Sequence, residues 1–261
     1  MELPIYQVDA FTDRLFAGNP AAVCPLPRWL KDETMQSIAA ENNLAETAFF
    51  LPEGEGYRLR WFTPAVEVDL CGHATLASAF VISNFLEPGR NEMHFETRSG
   101  RLTVSRGPDS YLLDFPIWQL KPAENPAVGK AMGRKPRELL ASKPYLAVYD
   151  SAAEVAALAP DLKAVAALDL DGVLATAPGE NGVDYVARYF APAAGIPEDP
   201  ATGSSHCALV PYWSQRLKRR RLVGRQISQR GGDFQCELVG ERVRIGGQAI
   251  CYLKGSIVVD D

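Results

Sequence analysis

Residues 57–65 read YRLRWFTPA, and residues 185–193 read YVARYFAPA. Tyr57, Arg60, Phe62, Pro64 and Ala65 return as Tyr185, Arg188, Phe190, Pro192 and Ala193, at a constant offset of 128 residues. Just upstream, AFFLPEGEG at 48–56 resembles LATAPGENG at 174–182, offset by 126, a slip that fits a loop insertion between two strands. Downstream, each copy passes a Gly-containing turn and enters an apolar, helix-like stretch: DLCGHATLASAFVISNFL at 69–86 and EDPATGSSHCALVPYWSQRL at 198–217. Two common strand patterns can match by chance. Strand, Pro-Ala turn and helix recurring in one order argue instead for a duplication. The repeat predicts two pseudo-symmetric domains facing each other, residues 1–116 and 117–249.

The remaining chain reads as short elements consistent with that division. Residues 32–41 form an amphipathic helix with Met35, Ile38 and Ala39 on one side. Strands are expected at Thr47–Leu51, Tyr57–Phe62, Leu102–Ser105 and Tyr111–Phe115, and a helix at Ser151–Leu158. Four prolines punctuate residues 120–144. Further strands are expected at Gln226–Ser228, Gln235–Leu238, Arg242–Ile245 and Ala249–Leu253. The pattern is strand-rich α+β with one central helix per half. It contains no βαβ array, no GxGxxG and no Walker loop.

Composition excludes several classes. In 261 residues, 47% are hydrophobic, too many for disorder. The net charge of −5 argues against a nucleic-acid partner. The run Arg216, Lys218, Arg219, Arg220, Arg221 reads as a solvated face beyond a helix C-terminus. Five widely spaced cysteines without a CxxC pair fit reduced thiols in the cytoplasm, and the N-terminus shows no signal-peptide pattern. Three histidines lack zinc-ligand spacing, so no metal is expected. The uncharged stretch Leu70–Leu86 is shorter than the roughly 20 residues a bilayer needs, so no membrane span is expected.

Chemistry is expected at the two helix starts, Cys71-Gly72-His73 and Asp199 to Ser204. Unpaired N–H groups and a partial positive charge at helix N-termini hold carboxylates and enolates. Gly72 and Gly203 let a ligand approach the backbone, although Gly and Ser also cap ordinary core helices. Glu46, followed at once by apolar residues, is either a surface carboxylate at a strand end or the candidate base, because a partly desolvated carboxylate accepts a proton more readily. Under the 126 offset Glu46 corresponds to Gly172, so chemistry at Glu46 is one-sided in a symmetric frame. His73 in the field of a helix start is expected to be neutral and to donate to substrate. Asp199 is either a capping carboxylate or a second acid. Cys71 is either a small buried residue or a base with a lowered pKa. His206 and Cys207 are expected to pack within the second helix.

VDAFTDRLFAGNPAAV, NNLAETAFF, FTPAVEVDLCGHATLA, EDPATGSS and VRIGGQAICYLKGSI, in this order from Val8 to Ile257, resemble the motifs of the phenazine-biosynthesis isomerase-like (PhzF) family. The resemblance implies a diaminopimelate epimerase-like fold, in which each domain is a curved, mostly antiparallel sheet around a central helix. It also implies a last segment, 250–261, that returns to the first domain, a substrate cleft between the domains, and a homodimer. It assigns proton transfer to Glu46. It assigns substrate binding or assistance to His73, Asp199, Gly203 and Ser204, a backbone donor to Gly72, and a structural or site-lining role to Asn19. Two departures stand out. Ala45 replaces a serine, and Asp199-Pro200 occupies the place where two-thiol epimerases carry their second cysteine. The reading is therefore a cofactor-independent isomerase acting on a small carboxylate-bearing, amino-acid-like substrate. A single-thiol racemase using Cys71 and a non-catalytic metabolite binder are the alternatives.

Overall fold

A computed structural model describes residues 1–260. The repeated stretches are strands, and the elements around them repeat as well. The chain folds into two compact units. One comprises Met1–Asp114 with the chain from Gly246 onward, and the other comprises Phe115–Ile245. The first unit runs through β1 (Glu2–Ala10), β2 (Asn19–Pro25), α1 (Asp32–Asn42), β3 (Glu46–Glu53), β4 (Gly56–Phe62), β5 (Glu67–Val68), α2 (Gly72–Val81), β6 (Glu92–Thr97), β7 (Gly100–Arg106) and β8 (Tyr111–Pro116). The second runs through β9 (Lys121–Pro122), α3 (Pro126–Ala131), β10 (Glu138–Ala141), β11 (Tyr145–Val148), α4 (Ala152–Ala156), α5 (Leu162–Ala166), β12 (Val173–Pro178), β13 (Tyr185–Ala191), β14 (Ile196–Asp199), α6 (His206–Leu217), β15 (Arg221–Gln226), β16 (Gly232–Val239) and β17 (Arg242–Gly247). The last strand, β18 (Ala249–Val258), pairs antiparallel with β1.

Strand pairing follows one plan twice. In the first unit β1–β2 is antiparallel, β2–β3 parallel, β3–β4 antiparallel, β4–β6 parallel and β6–β7 antiparallel. In the second, β10–β11, β11–β12, β12–β13, β13–β15 and β15–β16 repeat that alternation. Each sheet curves round one helix. α2 touches β1, β2, β3, β7 and β18. α6 touches β15 and β16, and its side chains reach further: Tyr212 to Glu138 of β10, Trp213 to Thr176 of β12 and His206 to Tyr185 of β13. The other face of each sheet packs on further helices. Met35, Ile38 and Ala39 of α1 bury against Phe49 and Phe62, and Val128, Val155 and Val165 of α3, α4 and α5 bury against Val173 and Phe190. This is the α+β, epimerase-like architecture.

The repeated arginines show why these residues recur. Arg60 grips Glu67 with two bonds of 2.7 and 2.8 Å, lies 5.2 Å over the Phe62 ring, and reaches Asp32 in the first turn of α1 at 2.9 Å. Arg188 grips Glu198 at 2.8 and 2.9 Å, lies 4.8 Å over Phe190, and caps the C-terminal end of α4 through the Val155, Ala156 and Leu158 carbonyls. In both copies a bidentate, ring-stacked guanidinium ties a strand to the helix on the outer face of its sheet. The arginine run is likewise paired: Arg216 with Glu138, Arg219 with Asp184, Arg221 with Glu237.

Three expectations shift in detail. The strand expected at Gln226–Ser228 lies upstream, at Arg221–Gln226, where Leu222, Gly224 and Gln226 point inward and the residues between them outward. The helix expected at Ser151–Leu158 is shorter. The Ser151 hydroxyl accepts the Glu154 N–H and starts it at Ala152. α6 starts at His206, after a single 3₁₀ turn at Gly203–Ser205.

The strand register fixes the correspondence of Glu46. Thr47 pairs with Phe62, and Val173 pairs with Phe190, so Glu46 and Gly172 hold the same place. Gly172 has φ +149°, and a Cβ there would lie 2.1 Å from the Phe190 carbonyl oxygen. The second unit therefore has no room for a side chain at this position. Gly172→Ala should destabilise the protein by more than about 1 kcal/mol, read as a lower urea midpoint. An unchanged midpoint would refute the close approach.

Candidate active site

Glu46 is the first residue of β3 and pairs with Ala21 of the parallel strand β2. Its carboxylate enters the interior, leaving the residue 8% exposed. There Oε2 lies 3.0 Å from His73 Nε2. His73, 5% exposed, stands in the first turn of α2 behind Cys71, which has extended backbone at φ −144°. Cys71 Sγ lies 3.5 Å from His73 Nδ1, and Asn19 Nδ2, at the start of β2, lies 3.2 Å from the same nitrogen. Four residues singled out in the sequence (Asn19, Glu46, Cys71 and His73) thus meet in one buried cluster, with Gly72 between two of them. In the first turn of α2 the Ala74 N–H points to Cys71 and the Thr75 N–H bonds the Cys71 carbonyl at 3.2 Å.

The electrostatics of this cluster differ from expectation in one respect. Burial pushes the His73 imidazolium toward the neutral form, but Cys71 and the Glu46 carboxylate outweigh it, and the pKa rises well above the ordinary value. The shift runs against the expected neutral His73: Cys71 first, and then Glu46, favour the imidazolium over the pull of burial. Cys71 also moves the other way: burial, reinforced by the Glu46 charge, raises its thiol pKa, so the helix start does not make it a ready thiolate. Glu46, His73 and Cys71 also have the donor set of a metal site, with ligand atoms within 4.8 Å of one another.

The second unit places the other expected residues together. Asp199 ends β14, and its Oδ2 accepts the Thr202 hydroxyl at 2.6 Å instead of capping α6. Gly203 and Ser204 follow in the 3₁₀ turn. Sequence reasoning missed Gln226. This fully buried residue donates from Nε2 to the Asp199 carbonyl and accepts the Thr202 N–H at 2.8 Å. Ser228 reaches the Pro200 carbonyl at 2.7 Å, and a Cβ on Gly232 would lie 2.5 Å from that of Ala201. The signal was present in the alternation of Arg221–Gln226, which turns Gln226 inward. His206 and Cys207 are buried as expected. His206 Nδ1 lies 2.6 Å from the Tyr185 hydroxyl, and burial lowers its pKa to about 3.

The epimerase-like frame holds a buried Glu46–His73 pair, and the chain's close relatives, named isomerases, place it in an isomerase class. The chain belongs to the phenazine biosynthesis-like protein family, whose model matches residues 8–255. It is 49% identical to an uncharacterized isomerase of Pseudomonas aeruginosa, over 98% of this chain and 99% of that one. A crystal structure of a PhzF-family phenazine biosynthesis protein of Enterococcus faecalis superposes with a TM-score of 0.97 at 45% identity, covering 99% and 100% of the two chains. A hydroxyproline epimerase of Agrobacterium vitis, at 13% identity and a TM-score of 0.57 over 100% and 93% of the chains, shares the fold. Among the described residues no helix is long and apolar enough to cross a membrane.

The two buried histidines should load stability with opposite pH dependence. The folded His73 pKa lies above 6.5, so its contribution is full below pH 6.5 and is lost as pH rises toward the folded value. The folded His206 pKa is about 3, so the unfolded chain alone takes up its proton between about 3 and 6.5, and stability falls as pH falls through that window. Ring-resonance NMR should find His73 charged at pH 7 and His206 neutral at pH 5. A His73 that titrates below pH 6.5 would contradict the assignment.

Proposed function

We propose that this isomerase moves a proton between neighbouring carbons of a small carboxylate-bearing, amino-acid-like substrate, without a cofactor, with Glu46 as the base. The observation that carries the reading is the 3.0 Å contact between the buried Glu46 carboxyl group and His73, whose protonated form its neighbours favour. Glu46 accepts the proton of an acidified C–H. His73 and the uncapped N–H groups at Gly72 and His73 stabilise the negative charge that develops on the substrate. Asn19 holds the imidazole ring in place. In the same proposal Asp199, Gly203 and Ser204 bind the substrate's polar groups, with Asp199 suited to an ammonium. The Thr202 hydroxyl orients its carboxylate, and Gln226 fixes its loop.

A single base has a stereochemical consequence. With no carboxylate at Gly172, the proton leaves and returns on one face, by way of the same oxygen. The product should then retain substrate hydrogen in part and take up the rest from solvent.

Glu46→Gln should cut proton exchange by about 10² to 10⁴ with the thermal transition intact, measured as deuterium incorporation across a panel of cyclic and β,γ-unsaturated amino acids. Exchange that survives the substitution refutes the base assignment. Cys71 lies 3.5 Å from His73, which keeps the single-thiol reading open. Iodoacetamide resistance together with an active Cys71→Ser variant excludes that reading. Gln226→Leu should raise KM more than it lowers kcat. An unchanged KM removes the loop from substrate binding.

A further inference from the structure

The cluster at the start of α2 has a property that proton transfer does not need. His73 Nε2 lies 3.0 Å from Glu46 Oε2 and 4.0 Å from Cys71 Sγ, and all three ligand atoms fall within 4.8 Å of one another. A tetrahedral zinc ion with bonds of about 2.0 Å to nitrogen and oxygen and 2.3 Å to sulfur sets its ligands roughly 3.3 to 3.6 Å apart. Small side-chain shifts would seat one ion on all three. The donor set of one thiolate, one imidazole and one carboxylate suits a borderline-soft transition metal and is a poor match for magnesium or calcium. Three protein ligands leave a fourth position open. Glu46 Oε2 is buried and faces His73 Nε2 at 3.0 Å. The other histidine–carboxylate contact at this spacing, His94 Nε2 to Glu92 Oε1 at 3.2 Å, lies at the surface and lacks a thiol.

We propose that Glu46, Cys71 and His73 form a three-point trap for a divalent transition-metal ion of the zinc type. The bound ion occupies the base and shuts off proton transfer. This second clause rests on Glu46 being the base, whereas the trap itself does not. The chain would thereby be an isomerase whose activity falls as free zinc rises, with no role for the ion in turnover.

Two measurements test the trap without substrate. Competition against a chromophoric chelator should show one Zn²⁺ bound per chain, and Cys71→Ser and Glu46→Gln should each weaken it by at least about 10- to 100-fold. Co²⁺ in place of Zn²⁺ should give a thiolate-to-cobalt charge-transfer band that persists in Cys251→Ser and His94→Ala and disappears in Cys71→Ser. No saturable binding, equal affinity in Cys71→Ser, or loss of the site in His94→Ala would overturn the trap. Should Cys71→Ser fail to fold, the cobalt band of the unmodified chain together with the Glu46→Gln titration decides. Zinc that binds as described while exchange proceeds at full rate overturns the inhibitory clause. Exchange that survives Glu46→Gln while zinc still binds removes the base assignment and leaves the trap standing. Loss of exchange in Glu46→Gln with no metal bound does the reverse.

Discussion

The burial of α2 on nearly every side governs the first unit. Nine of its ten residues are buried, so the helix has no solvent face on which to place a polar group. Such a helix needs a partner in every direction, and a curved sheet closing round it supplies one. Small residues make the closure possible: Gly72, Ala74, Ala77 and Ala79 let strands approach. The two hydroxyls inside it are satisfied within the helix, Thr75 Oγ1 on the Cys71 carbonyl at 2.5 Å and Ser78 Oγ on the Ala74 carbonyl at 2.8 Å. Once the sheet has closed, His73 has nowhere to go but inward. An ionisable ring at that depth needs a counter-charge, and the start of β3 brings Glu46 to it. The reactive pair is thus a result of the packing problem that the apolar helix poses.

The duplication gave both units the same frame, but backbone sterics decided where a side chain could stand. At the register position of Glu46 the second unit holds Gly172 against the Phe190 carbonyl. The absence of a second carboxylate there follows from a contact of the main chain, which point mutation at 172 alone does not relieve. The scaffolding diverged far less. Arg60 with Glu67 and Arg188 with Glu198 keep the same bidentate grip and the same ring beneath the guanidinium. Each fastens a strand to an outer helix, and each is shielded enough from water to matter more than an exposed pair.

The repeat makes the frame legible, because period, turn and helix recur together in plain sequence. Glu46, His73, Asn19 and Asp199 are legible as motif residues. Their contacts are not. The helix field alone argues for a neutral His73. What reverses it is Cys71 beside the ring and Glu46 far upstream in the chain, and only the fold brings Glu46 within 3.0 Å of His73. Gln226 is hidden for a different reason. Arg219, Arg220 and Arg221 draw the eye to a charged surface, while the alternation that follows turns every second residue of a strand into the core. Asp199 at a helix start suggests a cap. Its actual acceptor role toward Thr202 depends on a 3₁₀ turn that delays α6 until His206.

The protonation order inside the cluster narrows what Cys71 contributes. Cys71 and His73 are 3.5 Å apart, a spacing that elsewhere produces a thiolate–imidazolium pair. Here Glu46 is a second acidic partner of the same imidazole, 3.0 Å from Nε2. A second anion on sulfur would face that carboxylate within the same small, poorly solvated space, and the thiol pKa moves up accordingly. The carboxylate and the thiol therefore compete for one positive partner, and the carboxylate holds it. In the proposed proton-transfer site that competition favours a single base beside a thiol that keeps its proton. A metal cation, bringing two positive charges, would let both anions form together.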